Sequence, residues 1–137
     1  MERIRILLAH RDEDLARKLQ IEVNQNHQME WGGWVTSQAE ALAVCAVNPP
    51  QVLLLGLRLQ DASGLETLHS LGTMQSSAKI IAFSDSLDPE LIKSMLRAGA
   101  RGYILANESL PQLLALIPAV LRGHTILSMD IIPLLVQ

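Results

Sequence analysis

Short, unbroken apolar runs recur along the chain with longer mixed segments between them: RIRILLA at 3 to 9, QVLLLGL at 51 to 57, KIIAF at 79 to 83 and GYIL at 102 to 105. WGGWV at 31 to 35 is a fifth, weaker candidate. None alternates apolar with polar cleanly. Each therefore predicts a strand buried on both faces, the situation of a parallel sheet covered by helices on either side.

The intervening segments carry helix starts. Ser37 with Glu40 forms a capping-box pattern before the Ala-rich stretch to Val47. Asp88 and Pro89 are a cap and first-turn pair, and the helix they open should bury Ile92, Met95 and Leu96. Ser109 opens a last helix to Arg122, with Gly123 placed to end it. A helix from about Asp12 to Asn24 and a shorter one from about Gly64 to Leu71 complete the set. Strand then helix, five times, predicts a doubly wound α/β sandwich of three layers. In such a sheet a site lies at the carboxyl ends of the strands, here residues 9–12, 56–58, 84–85 and 105–107.

At 137 residues the chain fits one domain, and 49% apolar residues give it a core, which excludes disorder. A net charge of -3 supplies no overall field to attract a phosphate backbone. The single Cys45 excludes an internal disulfide and points to a reducing, cytoplasmic setting. The charge-free stretch from Ala41 to Leu57 is split by Pro49 and Pro50, so it cannot form one membrane-spanning helix.

IRILLA, QVLLLGLRLQDASGLETL, LRAGARGYIL and GHTILS, in this order and spacing, resemble the receiver domain of NarL/LuxR-type response regulators over nearly the whole chain. The resemblance implies a CheY-like (flavodoxin-like) fold with five parallel strands in the order 2-1-3-4-5. It also implies a phosphorylation switch. Two acids after the first strand hold Mg²⁺, an aspartate ending the third accepts a phosphoryl group, and a lysine and a hydroxyl grip the phosphate. Carboxylates suit a hard cation, and the cation with the lysine neutralises charge developing on the phosphoryl oxygens.

Carried over by position, the acidic pair falls on His10 and Arg11, the acceptor on Gly56 and the lysine on Ala106. Only Ser84, at the hydroxyl position, and Tyr103, at the switch aromatic, remain. The expectation is a pseudo-receiver with a degenerate site, no metal and no cofactor. Gly56 has nothing to phosphorylate, and Arg11 puts a permanent cation where Mg²⁺ would bind.

Other readings stay open beside this one. Asp12, Asp61 and Asp85 could form a displaced carboxylate cluster, although capping helices and pairing with Arg11 or Arg58 is the plainer role. Arg11 with Ser84 could hold an anion, or Arg11 could fold over the vacated hole and fix one conformation. His10, His27, His69 and His124 show no metal spacing, and no nucleophile elbow, phosphate loop or dinucleotide fingerprint occurs, so no enzyme is expected. Trp31 and Trp34 would face opposite sides of a regular strand, with Trp34 partly exposed and a bulge expected at Gly32 and Gly33.

The last helix should bury Leu110, Leu113, Leu114, Ile117 and Leu121 and turn Gln112, Ala115, Leu116, Ala119 and Arg122 outward. That outer face is small and apolar, which reads as a contact for a second copy or another protein. Pro118 should kink it. The domain is set at residues 1–125, with 126–137 a tail or the start of a linker, although SMDIIPLLVQ is too apolar to stand free. The resemblance implies that DNA binding belongs to a C-terminal helix-turn-helix module outside these residues. The expected function is a phosphorylation-independent dimerisation and regulatory module of a LuxR-type transcription regulator. The alternatives are a receiver-like sensor of a small anion or nucleotide, or a stand-alone adaptor.

Overall fold

The computed structural model describes residues 2–136. Its elements run β1 (Ile4–Ala9), α1 (Glu13–Asn24), β2 (Met29–Val35), α2 (Gln38–Val47), β3 (Val52–Leu55), α3 (Gly64–Thr73), β4 (Lys79–Ser84), α4 (Pro89–Arg97), β5 (Gly102–Leu105), α5 (Leu110–Leu121), β6 (Ile126–Leu127), a 3-10 turn (Met129–Ile131) and α6 (Ile132–Leu135). The strands form one parallel sheet in the order β2-β1-β3-β4-β5-β6.

One face of the sheet, presenting Ile6, Leu8, Leu54, Phe83 and Ile104, packs on α1 and α5. The other, presenting Leu7, Leu53, Leu55, Tyr103 and Leu105, packs on α2, α3 and α4. Strand order reverses between β1 and β3, which places their carboxyl ends side by side at the switch point. The helices start where expected, although Ser109 makes no side-chain cap bond and the Glu40 carboxylate accepts from the Thr36 amide instead of closing a capping box on Ser37. Asp12 accepts from the Leu15 amide, Ser37 from Glu40 and Asp88 from Glu90, and Ser63 with Glu66 adds a full capping box on α3.

The sheet has six strands rather than the expected five. Ile126 and Leu127 pair with Gly102 and Tyr103. Gly102 makes this possible, because a Cβ there would lie 2.7 Å from both Cγ1 and the carbonyl oxygen of Ile126. Beyond β6, Ser128 is buried, its hydroxyl accepting from the Leu105 amide at 2.8 Å and its own amide donating to the Tyr103 carbonyl at 3.1 Å. Ile131 is fully buried among the residues of the α4 face. The apolar tail is thus folded onto the body past residue 125.

β2 carries the expected bulge. Ile6 pairs with Trp31 and Leu7 with Gly33, leaving Gly32 as the extra residue, with Gly33 at φ 120°. The extra residue flips the alternation, so Met29 lies in the core facing α1 and Val35 in the core facing α2. It also brings Trp31 and Trp34 to the same face, since they pair with Ile6 and Leu8, instead of the opposite faces a regular strand would give.

α5 runs unbroken through Pro118. Leu113, Leu114 and Ile117 are buried as expected and Leu110 partly so, but Leu121 is exposed and Val120 takes its place in the core. Gln112, Ala115, Leu116 and Arg122 face solvent, and Ala119 is half-buried. In α4, Ile92 and Met95 are buried while Leu96 is only partly so.

Candidate functional site

At the carboxyl edge of the sheet an open cleft of about 1150 Å³ is lined from the loops after β1, β3, β4 and β5. His10, Arg11, Ser84 and Ala106 all line it, so the fold brings together four of the residues singled out by position. Gly56 sits beneath them, buried, under the His10 ring.

That ring is fixed on several sides. A Cβ added to Gly56 would lie 2.8 Å from His10 Cδ2, closer than real Cβ atoms approach. The imidazole meets the Phe83 ring edge-on, with centroids 6.3 Å apart and planes at 60°. Its Nδ1 accepts from the Asp12 amide at 3.1 Å. The backbone is held too: the His10 amide donates to the Val35 carbonyl at 3.0 Å, and its carbonyl accepts from the Trp34 indole Nε1 at 2.6 Å. Burial holds the His10 pKa below the ordinary imidazole value, against the opposing pull of the Asp12 and Asp85 carboxylates and the Phe83 carbonyl. A neutral ring whose Nδ1 lone pair is already engaged makes a poor nucleophile.

Around this plug the carboxylates are dispersed. Asp12 caps α1. Asp61, in the loop between β3 and α3, accepts from the amides of Gln38 and Ala39 at the start of α2 at 2.6 and 3.1 Å, and the Gln38 amide bond chiefly lowers its pKa. Asp85 lines the cleft. Among the described residues no three His, Cys, Asp or Glu side chains gather in a way that could hold a metal ion. Arg11 is exposed and Arg58 likewise, and neither is in an ion pair among the described residues; the three that form are Arg17–Glu13, Lys18–Asp14 and Lys93–Glu90. The expected pairing of the aspartates with Arg11 or Arg58 is therefore not made, while the capping role of Asp12 and Asp61 is. The cleft lining holds Arg11, Lys18 and Arg58 against Asp12, Asp14, Asp85 and Glu108, a set with one more carboxylate than cation and no positive excess around Arg11 and Ser84.

The hydroxyl and the aromatic form a second cluster. Ser84 is buried, and its Oγ accepts from the Ser86 amide at 3.1 Å. Tyr103 is fully buried, and its hydroxyl donates to the Ser86 carbonyl at 3.0 Å. Burial raises the Tyr103 pKa, so the phenol stays protonated and keeps donating. Ser86 is thus tied at both its amide and its carbonyl, and the β4–α4 loop with it. Ala106 donates its amide to the Ser84 carbonyl at 2.9 Å and contributes no charge.

Sequence reasoning missed Phe83, Ser86 and the Trp34–His10 bond. The bond joins residues 24 apart in sequence, and only strand pairing brings them into reach. His27, His69 and His124 are exposed and lie away from the cleft.

Comparison with known proteins gives one consistent picture. A family model described as response regulator receiver domain matches residues 6–118. A nitrate/nitrite response regulator homolog of Haemophilus influenzae is 29% identical over 136 residues, covering 99% of this chain and 65% of that protein. The nitrate/nitrite response regulator NarL of Escherichia coli is 34% identical over 86 residues, covering 63% of this chain and 40% of that protein. The chain thus spans between two fifths and two thirds of these relatives' lengths. A solved LuxR-family response regulator from Aurantimonas sp. SI85-9A1 superposes with a TM-score of 0.90 at 19% identity, covering 98% of this chain and 96% of that one. The isolated REC domain of RcsB from Salmonella enterica serovar Typhimurium, solved in the presence of the phosphomimetic BeF3-, superposes at 0.86 and 14% identity, covering 98% and 99%. At these identities the superpositions speak for the fold alone.

Proposed function

The chain belongs to the response regulator receiver domain family, and from that premise we propose that it is a pseudo-receiver of the NarL/LuxR type, working by association without phosphorylation. One observation carries this reading. The place of the phosphoryl acceptor is held by Gly56, and the volume such a side chain would need is filled by the His10 ring. Arg11 stands where a metal-binding acid would be, and Ala106 where a lysine would grip the phosphate. Phosphoryl transfer needs an acceptor oxygen, a cation and a counter-charge together. In this proposal none of the three is in place.

What remains is a scaffold in one conformation. Tyr103 and Ser84 hold the β4–α4 loop through Ser86, so the elements a receiver would move are already tied. The output is then a surface. The outer face of α5, with Gln112, Ala115, Leu116 and Arg122 exposed and Leu116 at 40%, is the proposed contact for a second copy. DNA contact is assigned to a part of the protein outside these residues, consistent with the net charge of -3.

Two measurements test the reading. Incubation with acetyl phosphate and Mg²⁺ followed by intact-mass analysis should show no stable phosphoryl increment; an increment mapped to Asp12, Asp61 or Asp85 would overturn phosphorylation independence. Light scattering should show Leu116→Glu weakening self-association with the circular dichroism spectrum unchanged. A wild type that stays monomeric at high concentration would remove the dimerisation role.

A further inference from the structure

We propose that His10 is a proton-operated plug: neutral, its ring seals Gly56 against Phe83, and on protonation it leaves that seat for the open cleft, releasing the contacts that tie β1 to α1 and to Trp34. The inference does not depend on the association surface. It follows from how the ring is seated.

The neutral ring has a use for each of its parts. Its carbons cover Gly56, where only hydrogen leaves room, and its edge meets Phe83. Its Nδ1 lone pair receives the Asp12 amide. A proton on Nδ1 turns that hydrogen bond into two donors facing each other at 3.1 Å. It also places a full positive charge on a largely enclosed seat, which burial penalises more than the Phe83 carbonyl, the one acceptor there, compensates. Both effects act against the seated position.

The cleft offers the cation an alternative. His10 is only half-buried and lines the cleft wall, so the ring has an open side. On its own loop it faces Asp12, and from the β4–α4 loop Asp85. The other charged groups lining the space are Arg11, Asp14 and Lys18 from β1–α1 and α1, Arg58 from the loop after β3, and Glu108 from the loop after β5. Lys18 is paired with Asp14. β2 contributes the Trp34 indole, and β3 and β4 contribute Gly56, Phe83 and Ser84, none of which titrates in this range. Of the charged groups, Asp12 and Asp85 act on the His10 ring and favour its charged form.

Trp34 reports the event. Its indole N–H is bonded to the His10 carbonyl at 2.6 Å, whereas Trp31 sits at the other end of the bulge, paired with Ile6.

The test is a pH titration of the intact chain by NMR, following the four imidazoles and the two indole N–H signals, with His10→Asn beside the wild type. Asparagine keeps an acceptor near the Asp12 amide and does not titrate. The proposal expects His10 to titrate below the ordinary imidazole value, the Trp34 indole signal to shift with the His10 midpoint, and the Trp31 signal to stay still. In His10→Asn the Trp34 shift should vanish over that range. Should the variant not fold, amide exchange at Asp12 in the wild type gives the same answer, quickening at the His10 midpoint if the plug leaves. His10 titrating at or above the ordinary imidazole value, a Trp34 signal indifferent to His10, unchanged Asp12 exchange, or loss of all dispersion at the His10 midpoint would each overturn it.

Discussion

His10 and Gly56 share one volume: the imidazole carbon Cδ2 lies 2.8 Å from where a Cβ on Gly56 would stand. The residues at these two positions are therefore coupled by packing. One supplies the ring and the other the space for it. A side chain introduced at position 56 alone meets a ring already packed on Phe83.

That coupling can be measured. Gly56→Ala should lower stability by about 1–3 kcal/mol through overpacking, read as a drop in the urea midpoint. Adding His10→Ala should recover part of the loss, since the ring that obstructs the new methyl is gone. Penalties that simply add would show that the two residues do not compete for space. Gly56→Asp should remain unlabelled by acetyl phosphate, with Arg11 and Ala106 still in place.

Positions 10 and 56 were each legible in the sequence as places at strand ends, but not as a contact. Positions 10 and 56 could be read against the family's pattern because strand ends β1 and β3 announce themselves as apolar runs. The side-chain packing between them carries no spacing signal. The bulge in β2 was legible from Gly32 and Gly33, yet its consequence for Trp31 and Trp34 follows only from the register with β1. β6 was not legible at all: two residues are too few for a periodic signal, and their pairing depends on the missing Cβ of Gly102 and on Ser128. At the end of α5 a 100° stripe one residue wide of the mark exchanges Leu121 for Val120.

Ser128 gives a direct check on where the folded unit ends. Its buried hydroxyl is the acceptor for the Leu105 amide. Ser128→Ala should leave that donor unsatisfied and cost about 1–3 kcal/mol, read by urea unfolding. Ending the chain at residue 125 should cost more, because it also removes the pairing of Ile126 and the buried Ile131. A truncated chain as stable as the full one would restore the boundary drawn from the sequence.

Asp61 sets a pH dependence of definite sign. Its carboxylate accepts from the Gln38 and Ala39 amides at the positive end of α2, and its folded pKa lies below the ordinary carboxylate value. The unfolded chain therefore binds the proton first as pH falls. The contribution is fully present above the ordinary carboxylate range and is lost as pH drops through the native value. Asp61→Asn should lower the melting temperature at pH 7, and the gap between variant and wild type should narrow toward pH 3. A gap that is constant with pH would show that the charge does not matter and only the hydrogen bonds do.

Tyr103 tests whether the β4–α4 loop is tied as the hydrogen bonds indicate. Its hydroxyl is the partner of the Ser86 carbonyl, while Ser84 holds the Ser86 amide from the other side. Tyr103→Phe keeps the ring in the core and removes only the donor. Ser86 is half-buried, so water can replace the lost partner, and the cost should stay near 0.5–1.5 kcal/mol. The larger effect should be local opening, since one of the two ties is gone. Hydrogen exchange followed by mass spectrometry should quicken over residues 85–88 while α1, on the far face of the sheet, is unchanged. Equal exchange in both proteins would mean that the Ser84 bond and packing hold the loop without the phenol, and that the phenol contributes nothing to the fixed conformation on which the proposed function relies.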